Sequence, residues 1–235
     1  MIENFPAWQN GEFCTVKDLS VSVLDLGLIH SDATYDVISS HNRKIFRLDD
    51  HLDRFYTSCK FWRLTPTISR EEMKNTIIEL CRQSNTDNLL IWIGITRGTP
   101  SSGNPRDLSS YTPNMFMYVK PYFGFYSTNS ARVCLATQKR NTSFNQRYKN
   151  FAWNDLTLAQ WEAIDRGFDT AILLSRDGYI TEGPGFNIGF IKGDSVFAPA
   201  TNRLQGTTMD LVKDLCLANN KEFLYCNITP DDVSC

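Results

Sequence analysis

No stretch of this chain is long and apolar enough to cross a bilayer. The first residues, Met1-Ile-Glu3-Asn-Phe5-Pro-Ala-Trp8, carry an acid and no apolar run, so no secretory signal is expected. Histidine is scarce: the three present are scattered, and none stands at metal-ligand spacing from a cysteine or carboxylate, so no metal site is expected. The seven cysteines are odd in number and include no Cys-x-x-Cys pair, which points to reduced thiols in a cytoplasmic protein. Charge is nearly balanced, with 24 basic and 26 acidic residues, so neither nucleic acid nor an acidic membrane is an expected partner. Repeats and low-complexity tracts are also missing. What is present is an ordinary globular composition, 42% hydrophobic, in 235 residues: enough for one large or two small domains with a real core.

The first half reads as mixed strand and helix. Asn10-Gly11 between Trp8 and Phe13 predicts a two-residue hairpin turn. Val21, Val23 and Leu24 predict an extended stretch ending at Gly27. The polar His41-Asn42-Arg43 between two strand-like runs predicts a second hairpin. Leu52, Phe55, Cys59 and Trp62 recur at helical spacing, giving a helix over 50–62. Ser69 with Glu72 forms a capping-box pattern ahead of Met73, Ile77, Leu80 and Cys81, a second amphipathic helix. Buried strands are expected over 89–96 and 115–119. The pattern breaks over 122–130, expected to be a linker between an N-terminal domain (1–121) and a C-terminal cofactor-binding domain (131–235). There, a strand at 133–137 precedes a helix from about Asp155 to Arg166, ended by Gly167. Short strands follow at 170–174, 187–191 and 195–198, and a helix starts at Thr208. Thr229-Pro230-Asp231-Asp232 reads as a helix start one turn before the last residue, so the C-terminal domain is expected to be incomplete.

Four features carry chemistry. Lys149 lies among Tyr148, Phe151, Ala152 and Trp153, an aromatic setting expected to desolvate the ammonium and lower its pKa, as a Schiff-base lysine needs. Glu182 stands before Gly183-Pro184-Gly185. Taken alone it is a turn carboxylate; beside such a lysine it suits a pyridine nitrogen. Gly206-Thr207-Thr208 opens a helix, where unpaired N–H groups favour phosphate, although an ordinary threonine N-cap would look the same. Arg54 sits on the polar side of its helix. Alone it is a surface arginine, but its guanidinium suits a phosphate. A lysine for an aldehyde, a carboxylate for a ring nitrogen and a helix start for a phosphate together match pyridoxal 5′-phosphate.

In this order the motifs resemble the class IV aminotransferases, the fold type IV pyridoxal phosphate enzymes, over nearly the whole chain. Phe46-Arg47-Leu-Asp-Asp-His51-Leu-Asp-Arg54 looks like the family's arginine-bearing helix. Within the family, His30-Ser31-Asp32-Ala-Thr-Tyr35-Asp36, Lys149-Asn150-Phe-Ala-Trp153-Asn-Asp155-Leu156 and Glu182-Gly-Pro-Gly-Phe186-Asn187 look like the (R)-selective amine transaminase and branched-chain aminotransferase-like group. The resemblance implies an α+β, two-domain protein with the cofactor in the cleft between domains. It implies Lys149 as the catalytic, cofactor-linked lysine, Glu182 at the pyridine nitrogen, and Arg54, Gly206, Thr207 and Thr208 around the phosphate. Asn187 completes the implied cofactor set, and Tyr35, Val37 and Trp153 line the implied substrate pocket. It further implies amino transfer between an amine or amino acid and a keto acid, in a homodimer.

The family's usual strand and small-residue loop beyond the helix at Thr229 have no counterpart here. Two alternatives stay open at this point: a lyase of the aminodeoxychorismate lyase type with the same lysine and glutamate, or an inactive truncated member.

Overall fold

The computed structural model describes residues 2–124, 130–141 and 143–233. The chain divides into two compact units, Met1–Phe125 with Lys149–Phe151, and Tyr126–Tyr148 with Ala152–Cys235. Much of the linker expected over 122–130 therefore lies outside the described residues.

The first unit is a six-stranded antiparallel sheet carrying two long helices. Its strands are β1 (Pro6–Gln9), β2 (Glu12–Thr15), β3 (Ala33–His41), β4 (Lys44–Ile45), β5 (Leu89–Pro100) and β6 (Tyr111–Pro121), in the order β2-β1-β6-β5-β3-β4. Both expected hairpins form. Asn10 and Gly11 take positive φ between the paired Gln9 and Glu12, and Asn42 and Arg43 do the same between His41 and Lys44. Such turns match the right-handed twist of the strands they join. A single helical turn, α1 (Leu26–Ile29), is capped by Asp25, whose side chain accepts from Gly27 N–H. It replaces the extended stretch expected up to Gly27, and Val21, Val23 and Leu24 are exposed in an irregular segment before it.

The helices α2 (Leu48–Trp62) and α3 (Arg70–Ser84) follow the apolar spacing that predicts them. Ser69 and Glu72 cap α3 reciprocally, satisfying two otherwise unpaired N–H groups. Alternation along β5 then decides the two faces of the sheet. Leu89, Ile91, Ile93 and Ile95 join Ile38, Phe55, Met73, Ile77, Met115 and Met117 in the main core, all essentially inaccessible to solvent. Trp92 and Gly94, paired with Val37 and Tyr35 in register, alternate with these core positions.

In the second unit β7 (Val133–Lys139) and β8 (Thr170–Leu174) run parallel, joined through α4 (Asn154–Asp165). Gly167 (φ +76°) follows α4, where the positive dihedral suits a residue without Cβ. A tight hairpin of β9 (Glu182–Gly183) and β10 (Phe186–Asn187) comes next, turning at Pro184-Gly185, with proline's fixed φ and glycine's positive φ in sequence. The last sheet contains β11 (Phe190–Lys192), β12 (Ser195–Pro199) and β13 (Glu222–Cys226), the last two parallel and joined through α5 (Thr207–Ala218). Thr229 and Asp232 form a capping box around a short 3-10 turn, as the sequence suggests. No helix among the described residues is long and apolar enough to cross a membrane.

Candidate active site

Lys149 is held by its own backbone. Its carbonyl accepts from Thr34 Oγ1 at 2.8 Å and from Trp62 Nε1 at 2.9 Å, and its N–H donates to Ser58 Oγ at 3.2 Å. Three bonds from β3 and the last turns of α2 fix a residue more than 80 positions away in sequence. The ammonium lies 4.6 Å from the centre of the Tyr35 ring, within cation–π range. Tyr35 stacks on Trp92 with centroids 4.4 Å apart and nearly parallel planes, and Phe151 meets both edge-on. An aromatic ring at the lysine's amine thus comes from β3, far from it in sequence. The Trp92 indole N–H is the one buried side-chain polar atom among the described residues with no hydrogen-bond partner.

Arg54 is not a surface arginine. Its Nε and NH2 grip Asp36 Oδ2 and Oδ1, each at 2.7 Å, and His51 Nδ1 lies 2.8 Å from Asp36 Oδ1. Asp36 is fully buried. Burial alone would raise its pKa, but the Arg54 charge and the hydrogen bonds from His51 and Arg54 outweigh it and hold the carboxyl well below the usual carboxylate range. The side chain that aims Arg54 is therefore the neighbour of two expected pocket residues, Tyr35 and Val37. Arg97, at the end of the same sheet, is committed to a bidentate pair with Asp32.

The second unit assembles the carboxylate. Glu182, on β9, is buried and is not a solvated turn residue. Its Oε1 accepts from Arg140 Nε at 2.9 Å, and its Oε2 accepts from Leu204 N–H at 2.9 Å and from Asn187 Nδ2 at 3.3 Å. Asn187 stands directly across the hairpin from Glu182 and also donates to Leu204 O at 3.0 Å. Arg140 divides its remaining donors between Asp155 Oδ2 (2.5 Å) and Gln146 Oε1 (2.7 Å). Sequence reasoning gave no role to Arg140 or Asp155, and nothing in their spacing links them to Glu182.

The helix start expected at Thr208 begins one residue earlier. Gly206 is the N-cap, and no side chain caps it, so a threonine N-cap is ruled out. A Cβ at Gly206 would collide with Asn187 Oδ1, so any larger residue there must displace the Asn187 amide. Thr207 is buried and Thr208 exposed in the first turn, and α5 is long enough for its N-terminal N–H groups to attract an anion. Trp153 precedes α4 and packs against the cluster of Cys134, Ala136, Leu156 and Ala159.

The model of the amino-transferase class IV family matches residues 33–235. The chain belongs to the class IV aminotransferases. Among similar proteins, a putative branched-chain-amino-acid aminotransferase of Methanocaldococcus jannaschii is 29% identical over 229 residues, covering 95% of this chain and 79% of that one. A D-alanine aminotransferase of Staphylococcus haemolyticus is 26% identical, covering 87% and 73%. The fold matches the branched-chain aminotransferase of Thermoproteus uzoniensis solved with norvaline (TM-score 0.91, 21% identity, 97% of this chain and 80% of that one). It also matches a T.th. branched-chain amino acid aminotransferase solved with pyridoxamine 5′-phosphate (TM-score 0.90, 24% identity, 99% and 80%). This class IV aminotransferase is accordingly a transaminase that uses pyridoxal 5′-phosphate. Each unit carries groups of the chemistry that cofactor needs: the first a fixed lysine against an aromatic ring and an arginine aimed by an acid, the second a buried carboxylate and a helix start at a glycine.

Proposed function

We propose that Lys149 is the catalytic lysine of a transaminase acting on amines or amino acids with a flat or apolar side group and on a keto acid. The backbone clamp on Lys149 carries this reading, because it holds the amine over Tyr35 while leaving the side chain its own torsions. Bound pyridoxal phosphate supplies an aldehyde carbon that condenses with amines and a ring that withdraws electrons from the donor's α-carbon. Lys149 Nζ would take the proton from that α-carbon as general base and, as general acid, give it to the cofactor carbon that had been the aldehyde. Glu182 holds a proton at the ring nitrogen, braced by Asn187 and Leu204 N–H. For the phosphate, the first unit offers Arg54, aimed by Asp36, and the second offers the start of α5 at Gly206, Thr207 and Thr208. Tyr35 and Val37, backed by the Tyr35–Trp92 stack, are the substrate-contacting residues this reading takes from the first unit, and Trp153 is the one it takes from the second.

The protein works as a homodimer in the cytoplasm. Support comes from the exposed apolar run of Val21, Val23, Leu24, Leu28 and Ile29 and from six described cysteines that are all free thiols. Single-turnover spectra with branched-chain L-amino acids, D-alanine and simple arylalkyl amines test the substrate class. Conversion of the cofactor to its amine form by at least one of them, with release of the matching keto product, is the expected result. With aminodeoxychorismate added instead, release of pyruvate with the cofactor unchanged would mark a lyase.

A further inference from the structure

Arg140 sits between two acids. Its side chain is 5% exposed, and those of Asp155 and Glu182 are each 6% exposed, so the three form one buried group. Two carboxylates share one guanidinium, which leaves the group one negative charge in excess. Asp155 is locked in place from several sides. Its Oδ2 accepts from Asn141 N–H at 2.6 Å as well as from Arg140, and its Oδ1 accepts from Leu156 N–H at 2.9 Å. It stands in the first turn of α4, where the helix dipole favours an acid.

We propose that Asp155 is a positioning residue that sets the charge felt at Glu182: it holds one end of Arg140 so that the arginine does not neutralise Glu182 alone. The proposal rests on the assignment of Glu182 to the ring nitrogen made above. In a site this buried a full charge acts strongly, because water does not screen it. With Asp155 in place the group carries a net negative charge and favours a proton on the ring nitrogen opposite Glu182. Without that charge Arg140 and Glu182 form a neutral pair, and the ring nitrogen loses the field that holds its proton. A ring without that proton is a weaker electron sink, so Asp155 would govern the reaction without touching substrate or cofactor.

The test is the ¹⁵N resonance of ring-labelled pyridoxal phosphate bound to the protein at neutral pH. Wild type should show the protonated position, and Glu182→Gln should move toward the unprotonated one. If wild type is unprotonated, or if Glu182→Gln changes nothing, the Glu182 assignment itself fails. Given that control, Asp155→Asn should move the resonance in the same direction as Glu182→Gln, and an unmoved resonance overturns the inference alone. The double variant Arg140→Gln/Asp155→Asn restores a single negative charge and should return the resonance to the wild-type position. A merely structural Asp155 predicts further loss in the double variant, and that result overturns the proposal even if Asp155→Asn does not fold.

Discussion

Replacing Asp36 by asparagine removes one charge and almost no volume, and its cost follows from the geometry. The carboxylate accepts from Arg54 at two points, from His51 and from Val37 N–H. An amide retains one oxygen, so one of the two Arg54 bonds becomes a donor facing a donor, and the guanidinium stays buried without its counter-charge. Removing one partner of a buried pair costs about 3–5 kcal/mol. Arg54 keeps some solvent contact, with 13% of its side chain exposed, so the lower end, about 3 kcal/mol, applies. For a chain of this size that is a fall in Tm of about 6–12 °C. The assay is a thermal melt of the apo-protein by circular dichroism across pH. The native carboxyl has a lowered pKa, so its contribution is complete above the unfolded value of about 3.9 and is lost as pH falls below that. The deficit of Asp36→Asn should therefore be constant above about pH 5 and shrink below about pH 4. Arg54→Met added to Asp36→Asn should recover part of the loss. A single variant that melts within about 2 °C of wild type, or a deficit that persists unchanged in strong acid, would refute the reasoning.

Gly206→Ala should cost about 1–3 kcal/mol by driving Asn187 off Glu182 and Leu204, read as a lower Tm and a weaker cofactor titration. An alanine tolerated without either effect would mean that the start of α5 is not under this constraint. Burial pushes the Cys59 thiol up to about 12, so it should resist iodoacetamide at about pH 8.5, the ordinary thiol pKa, in the native protein and react on unfolding. Because the native pKa is raised, the thiol's contribution to stability is complete below about pH 8.5 and declines as pH rises above it. Equal labelling rates in native and unfolded protein would contradict its burial.

Local chemistry was legible in the sequence, and long-range pairing was not. Asn10-Gly11, the Ser69/Glu72 box and the glycine after α4 each act within a few residues, so their patterns predict their structures. Val21, Val23 and Leu24 misled because apolar residues suggest a strand only where a partner strand exists, and none pairs with them. Arg54 read as a surface residue because its partner Asp36 lies 18 positions back, on a different element. Flanking aromatics suggested the setting of Lys149, and Phe151 does pack against Tyr35, but Tyr35 itself, brought there by β3, could not be read from the neighbourhood in sequence. The roles of Arg140 and Asp155 were invisible for the same reason: Arg140 meets Glu182 across 42 positions and no spacing rule connects them. The motifs named the chemical tools, but the residues that aim them emerged only from the fold.

The most direct test of the central claim is borohydride reduction of the protein incubated with pyridoxal phosphate, followed by peptide mapping. The visible absorption band should appear on mixing and vanish on reduction, the reduced cofactor should map to Lys149 alone, and Lys149→Ala should show no band while keeping its melting curve. A label on another lysine, or a band that survives in Lys149→Ala, would contradict the account.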